Sequence, residues 1–251
     1  MRKTALFIGS HNEEIEVEAP LIPQLLTEAS WRVVIFNPIG GWNWKAIRQL
    51  PKQKREILKQ SCIDAAKVLC CEKIICDYDV GRSFDWKHEV LQETVKVLSQ
   101  IKPDIVFIHW IDDSHFDHRA VAEISLQALR SCANLLEDED FQPSWKEIWA
   151  YSAGREQSLN FVPDALACAD EKHIRKAMEA LDAFAYEPEM INAWKMWTQQ
   201  KCRYWAPFDG AYPYADPLKY IGYTFPVGGT LLKDVLSQRL LPYPTELWLS
   251  K

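Results

Sequence analysis

No stretch of about 18 consecutive apolar residues occurs in the 251-residue chain, so no membrane-spanning helix is expected. There is no Cys-x-x-Cys pair. The seven cysteines are an odd number, scattered except for adjacent Cys70 and Cys71, which suits neither a disulfide framework nor a zinc ribbon. Basic charge is in short supply: 29 lysines and arginines face 35 acids, a net charge of −6. No basic face for general nucleic-acid binding is evident. Glycine is sparse at nine residues, and 48% hydrophobic with 25% charged residues is a globular composition, not a disordered one. The apolar run after Met1-Arg2-Lys3 stops after about six residues at His11-Asn12-Glu13-Glu14, short of the roughly 7–15 of a secretory signal core. With the scattered thiols, these absences lead to the expectation of a soluble cytoplasmic protein.

What is present is alternation. Residues 4–9, 31–36, 73–77, 105–109 and 147–151 are short runs that read as strands, the first nearly all apolar, as a strand buried on both faces should be. Between them residues 16–29, 52–70, 87–101 and 118–136, and after the last of them residues 170–185, read as helices. The clearest is 52–70, whose Ile57, Leu58, Cys62, Ala65, Ala66 and Leu69 form one apolar face. Strands alternating with helices imply βαβ crossovers, hence an α/β fold: a Rossmann-like three-layer sandwich around a mostly parallel sheet. The run Glu137-Asp138-Glu139-Asp140 reads as a solvated loop. The expected organisation is a domain over residues 1–185. Residues 186–251, rich in Trp, Tyr and Pro with little periodicity, would be an irregular extension packed on it. No internal repeat is found.

Two polar clusters follow strand-like runs. Thr4-Ala5-Leu6-Phe7-Ile8-Gly9 leads into Ser10-His11-Asn12-Glu13-Glu14, and Pro103-Asp104-Ile105-Val106-Phe107-Ile108 leads into His109 and Asp112-Asp113-Ser114-His115-Phe116-Asp117-His118. Ligands of open parallel sheets bind beyond the carboxyl ends of the strands, so both clusters would project from one edge. Imidazoles and carboxylates gathered there suit a divalent metal such as zinc. In isolation, His115 to His118 would equally serve as a helix start, with Asp and His capping amides. The strand before it favours a site.

At these residues the chain resembles the LmbE-like or PIG-L-like zinc deacetylases, which remove N-acetyl groups from aminosugar conjugates. Such proteins carry His-Pro-Asp-Asp-Glu after the first strand and His-Pro-Asp-His after a later one. Here the matching segments are His11-Asn12-Glu13-Glu14-Ile15 and His115-Phe116-Asp117-His118. A third similarity runs from Tyr151-Ser152-Ala153-Gly154 to Asn160-Phe161-Val162-Pro163-Asp164. The resemblance implies His11, Glu14 and His118 as ligands of Zn2+ or another divalent ion. It implies Glu13 as general base and His115 as donor to the oxyanion, with Asp117 fixing the His115 tautomer. Asp113 and His109 would support the site, and Asp79 and Lys59 would contact substrate. It also implies a small aminosugar conjugate as partner, with no nucleic acid or membrane, and homo-oligomers are common among such proteins.

Two glutamates replace the family's aspartates, each longer by one carbon–carbon bond, about 1.5 Å. Catalysis is sensitive to errors of about 1 Å. The alternative function is therefore a catalytically altered or inactive relative acting as a binding or assembly module. The same three ligands would also make a non-haem iron triad, although the His-x-x-Glu spacing is unlike the usual close pair. Lys52, Lys54, Arg55 and Lys59 would bind an anionic substrate or, more commonly, form the wet face of their helix. The tail aromatics Trp194, Trp197, Tyr204, Trp205, Tyr212 and Tyr214 would pack on the sheet, stack on sugars or build an interface.

Overall fold

The computed structural model describes residues 2–40, 50–154, 157–208, 210–222 and 231–243. Eight strands, β1 (Thr4–Ile8), β2 (Arg32–Ile39), β3 (Glu72–Tyr78), β4 (Ile105–His109), β5 (Glu147–Tyr151), β6 (Ala165–Ala169), β7 (Tyr214–Tyr220) and β8 (Leu240–Pro242), form one sheet in the order β3-β2-β1-β4-β5-β7-β6-β8. The first five in that order are mutually parallel, and β7 and β8 run antiparallel to their neighbours. The α/β architecture with a mostly parallel sheet is thus as the alternation predicts.

Burial on both faces explains the strand sequences. Ala5, Phe7, Val33, Ile35, Ile105 and Phe107 point into one core, and Leu6, Ile8, Val34, Phe36, Val106 and Ile108 into the other. Successive side chains alternate between faces, so a strand covered on both sides must be apolar throughout. Phe7 stacks on Phe107 across the β1–β4 pair with ring centres 4.3 Å apart. One face is covered by α4 (Lys87–Ile101) and α5 (Phe116–Leu136). The other is covered by α2 (Leu21–Glu28), α3 (Lys52–Val68) and α8 (Leu231–Leu236). On that side α1 (Glu14–Glu18), α6 (Glu171–Asp182) and α7 (Pro188–Tyr204) extend the layer. The helix expected over 16–29 is two helices, broken around Ala19-Pro20. Among the described residues, no helix is long and apolar enough to cross a membrane.

The residues after Tyr186 correct the expectation of an irregular extension. They include the 17-residue helix α7 and the strand β7, inserted between β5 and β6. The stripe α7 buries contains Thr198 and Lys201 beside Ile191 and Cys202, so its polar members hide the periodicity. Positions 209, 223–230 and 244–251 of that extension lie outside the described residues.

The chain builds β1, β2 and β3 outward in one direction, then returns to place β4 on the other side of β1. The carboxyl ends of β1 and β4 are therefore neighbours at the point where strand order reverses, where crevices form in open α/β sheets. This pairing brings together two clusters that lie about a hundred residues apart.

Candidate metal and active centre

Glu14 is the hub. Its Oε1 lies 2.6 Å from His11 Nδ1 and 2.8 Å from His118 Nε2, and its Oε2 lies 2.5 Å from His109 Nε2. All four side chains are buried. The longer glutamate fits because the chain bends back over the end of β1, where its carboxylate accepts a hydrogen bond from the Ser10 amide. Gly9 permits this: a Cβ there would sit 2.7 Å from Asn37 Nδ2 and 3.2 Å from Glu14 Oε2. Asn37 Nδ2 in turn donates to the His11 carbonyl at 2.5 Å.

Ligand atoms of His11, Glu14 and His118 all lie within 4.8 Å of one another. Glu14 Oε1 approaches both imidazoles yet has no aligned hydrogen-bond partner. Two imidazoles and a carboxylate oxygen drawn together in this way, with no aligned hydrogen bond to satisfy that oxygen, are a donor set that fits a cation. Zinc–ligand distances of about 2.0–2.1 Å in a tetrahedron place ligand atoms about 3.3 Å apart, so occupancy requires the side chains to open by about half an ångström. The sets His11, His115, Asp117 and Glu18, His109, His118 also bring donor atoms within the same distance.

The second set of contacts orients the first. Asp117 sits fully buried with Oδ2 3.0 Å from His11 Nε2, accepting 2.8 Å from the Gly81 amide, while Oδ1 accepts 3.3 Å from the Ser83 amide. The Asp117 carboxylate therefore holds His11 rather than His115, which corrects the expected pairing. His115 instead caps α5: its Nδ1 accepts from the Asp117 amide at 3.3 Å, which leaves the neutral ring's proton on Nε2. Asp113 Oδ1 lies 3.3 Å from His118 Nδ1, and Oδ2 accepts from Ser158 Oγ at 3.2 Å. The third similar segment is thus tied to the second cluster, with Ser114 N donating to Gln157 O and Leu159 N to Asp112 O.

Charge follows from burial and neighbours. Burial opposes the His11 cation, but Glu14 and Asp117 raise its pKa to about 10. Burial would raise the Glu14 carboxyl, yet His109, His118 and His11 hold it well below the usual range. Glu13 is raised by burial against the pull of His11. His115 is lowered to about 4 by burial and by the neighbouring His118 and His11. Hydrogen bonds from His11, Ser83 and Gly81 outweigh burial and lower Asp117 to about 2.

Glu13 and His115 line a cavity of about 1040 Å³ that also touches His11, Glu14 and His118. Asp79 lies beside Arg82, and its neighbours Val80 and Gly81 reach the cavity wall and Asp117. Lys59 is not brought to the cavity; it pairs with Asp77 at 3.1 Å, and Lys54, one turn earlier, faces the cavity instead. Glu18 was not anticipated. It is buried in the cavity wall, 3.7 Å from His109 Nδ1, and burial raises its pKa to about 8. Its i+4 relation to Glu14 was the available signal, since residues four apart share a helix face.

Residues 6–129 match the family model described as PIG-L, GlcNAc-PI de-N-acetylase. The matched segment, just under half of the chain, carries both polar clusters and resembles that family. No curated protein sequence matches this chain. Solved structures of low sequence identity share its fold. N,N'-diacetylchitobiose deacetylase from Pyrococcus horikoshii aligns with a TM-score of 0.70 at 15% identity, covering 87% of this chain and 84% of that one. GalB, the 4-carboxy-2-hydroxymuconate hydratase from Pseudomonas putida, gives 0.68 at 15%, covering 88% and 97%. A conserved protein from Thermus thermophilus gives 0.67 at 18%, covering 86% and 93%. At these identities the likeness is one of fold, and one of these structures belongs to a hydratase.

Proposed function

We propose that this protein is a metal-dependent N-deacetylase that hydrolyses the acetyl amide of an aminosugar or aminosugar conjugate. The observation that carries this reading is the convergence of His11, Glu14 and His118 in the wall of a cavity flanked by Glu13 and His115. His11, through Nδ1, Glu14 and His118, through Nε2, would hold the ion. When bound, a zinc or similar divalent ion supplies Lewis acidity that brings the pKa of water to about 7.

The chain's residues would do the rest. Ionised Glu13 takes a proton from the attacking water and returns it to the amide nitrogen as the carbon–nitrogen bond breaks, giving acetate and free amine. His115, neutral with its proton on Nε2, donates to the carbonyl oxygen as negative charge develops there. Asp117 and Asp113 keep His11 and His118 turned with the required nitrogen inward. The partner is a small aminosugar conjugate rather than nucleic acid or membrane. Seven free thiols support a cytoplasmic setting.

The binding-module alternative draws on the two glutamates that replace the family's aspartates. Metal content decides first. Protein purified without chelator or affinity metal should carry about one divalent ion per chain, lost in a His11→Ala/His118→Ala double variant. No ion after supplying zinc, manganese or iron would overturn the metal-centre reading. Turnover of any N-acetylated sugar would remove the module alternative.

A further inference from the structure

The cavity is larger and less polar than an acetylated sugar requires. At about 1040 Å³ it stands at the upper end of ligand pockets, which run to roughly 1,000 Å³ for drug-sized molecules. Away from Glu13 and His115, its walls include Ile57 and Leu58 of α3 and Met190, Trp194, Met196 and Trp197 of α7. Ile57 and Met196 keep more than half of their surface exposed, an expense in water that a passing ligand would relieve.

This wall is built. The Trp197 indole lies against Gly154, whose φ is +124° and where a Cβ would sit 2.4 Å from Trp197 Cζ2. Both backbone and ring therefore require glycine. Trp194 packs edge-to-face on Phe184 and Tyr186, with ring centres 5.7 and 5.3 Å away. Rigid indoles flanked by two flexible thioethers make a surface that adapts to apolar groups of different shape. Charge argues against a phosphorylated ligand. Among the described lining residues, Lys54 is the one lysine or arginine, and the Glu14 carboxylate, held ionised, and Glu187 stand on the same wall.

We infer that the substrate carries a large uncharged apolar group, aliphatic or aromatic, held between α3 and α7 while its amide faces Glu13 and His115. This rests on the deacetylase reading and extends it. The group could belong to the acyl side of the amide or to the aglycone, and the test separates them. One series holds the acetyl constant and lengthens the glycoside: methyl, butyl and octyl N-acetylglucosaminides. The other holds the sugar constant and lengthens the acyl group: N-acetyl, N-butanoyl and N-octanoyl glucosamine.

With metal-loaded protein, kcat/KM should rise about threefold to fourfold per methylene in one series, the increment expected from burying a CH2. In an Ile57→Ser/Met196→Ser variant, at the solvent-exposed rim, the octyl-to-methyl ratio should fall at least several-fold. A separate calorimetric comparison of octyl and methyl β-glucoside, both lacking an amide and kept below micelle formation, reads the apolar site without chemistry. Turnover with no chain-length dependence in either series overturns the inference and leaves the deacetylase reading standing. No turnover, but octyl glucoside binding that the rim variant weakens, overturns the deacetylase reading and supports the apolar site. Equal binding of octyl and methyl glucoside overturns the inference whatever the turnover.

Discussion

Replacing Asp117 by Asn removes one charge from the centre while keeping its volume. The Asp117 carboxylate is fully buried and has three partners: His11 Nε2 at 3.0 Å, Gly81 N at 2.8 Å and Ser83 N at 3.3 Å. An amide retains one acceptor oxygen, so at least one of these contacts faces an NH2 group. The Asp117 pKa, held at about 2, compares with about 3.9 for an unfolded aspartate, a difference of nearly two units or about 2.5 kcal/mol. Because the folded pKa is the lower one, this stability is fully present well above pH 3.9 and is lost as pH falls toward 2. In urea unfolding of metal-free protein at pH 7, Asp117→Asn should lose about 2 kcal/mol, and the gap should narrow to about half by pH 3. Divalent-ion affinity, measured by competition with a chromophoric chelator at pH 7, should fall about 10- to 100-fold, as for other carboxylates that orient a ligating histidine. Unchanged metal affinity would refute the orienting role. A stability gap independent of pH would show that the charge is not what Asp117 contributes.

Other consequences are equally open to measurement. Glu13→Gln should keep its metal, checked by elemental analysis, while kcat falls about 10²- to 10⁴-fold, the range of general-base contributions. Glu13 must be ionised to act and is raised by burial, so the ascending limb of kcat/KM against pH should lie above the ordinary carboxylate range, with activity lost as pH falls through it. Gly154→Ala places a methyl 2.4 Å from the Trp197 ring at φ +124°, and a loss of about 2 kcal/mol or more should appear as a lowered Tm. Lys73 and Glu16 form an ion pair at 2.6 Å with neither side chain exposed to solvent. Lys73→Met should cost about 3–5 kcal/mol in denaturant unfolding, and adding Glu16→Gln should recover part of it.

The parallel half of the sheet was readable because doubly buried strands must be continuously apolar, as in Thr4–Ile8 and Ile105–His109. The strand Ala165–Ala169 escaped notice: Ala-Leu-Ala-Cys-Ala carries no β-branched residue, and its extended form comes from pairing with β7 on one side and β8 on the other. Strand β7 was hidden by Asp216 and Pro217. In place, Asp216 is buried because its carboxylate accepts from the Leu21 and Ile22 amides at the start of α2, and no local pattern announces that partner. At the centre, His11, Glu14, His115 and His118 could be named from residue type and spacing after strand-like runs. The partners of Asp117 could not, since sequence separation says nothing about which imidazole a carboxylate meets. Lys59 failed for a related reason: the turn of α3 presents Lys54 to the cavity and leaves Lys59 beside Asp77.

The sequence by itself determined the layered α/β plan and the identity of the donor groups, because hydrophobic period and the chemistry of histidine and carboxylate are local properties. Only the tertiary structure decided that β1 and β4 would be neighbours, that Glu14 would fold back over Gly9 into three histidines, and that α7 would wall the cavity with Trp194 and Trp197. Those outcomes depend on strand order and on which surfaces meet, and both are set by packing between segments far apart in the chain.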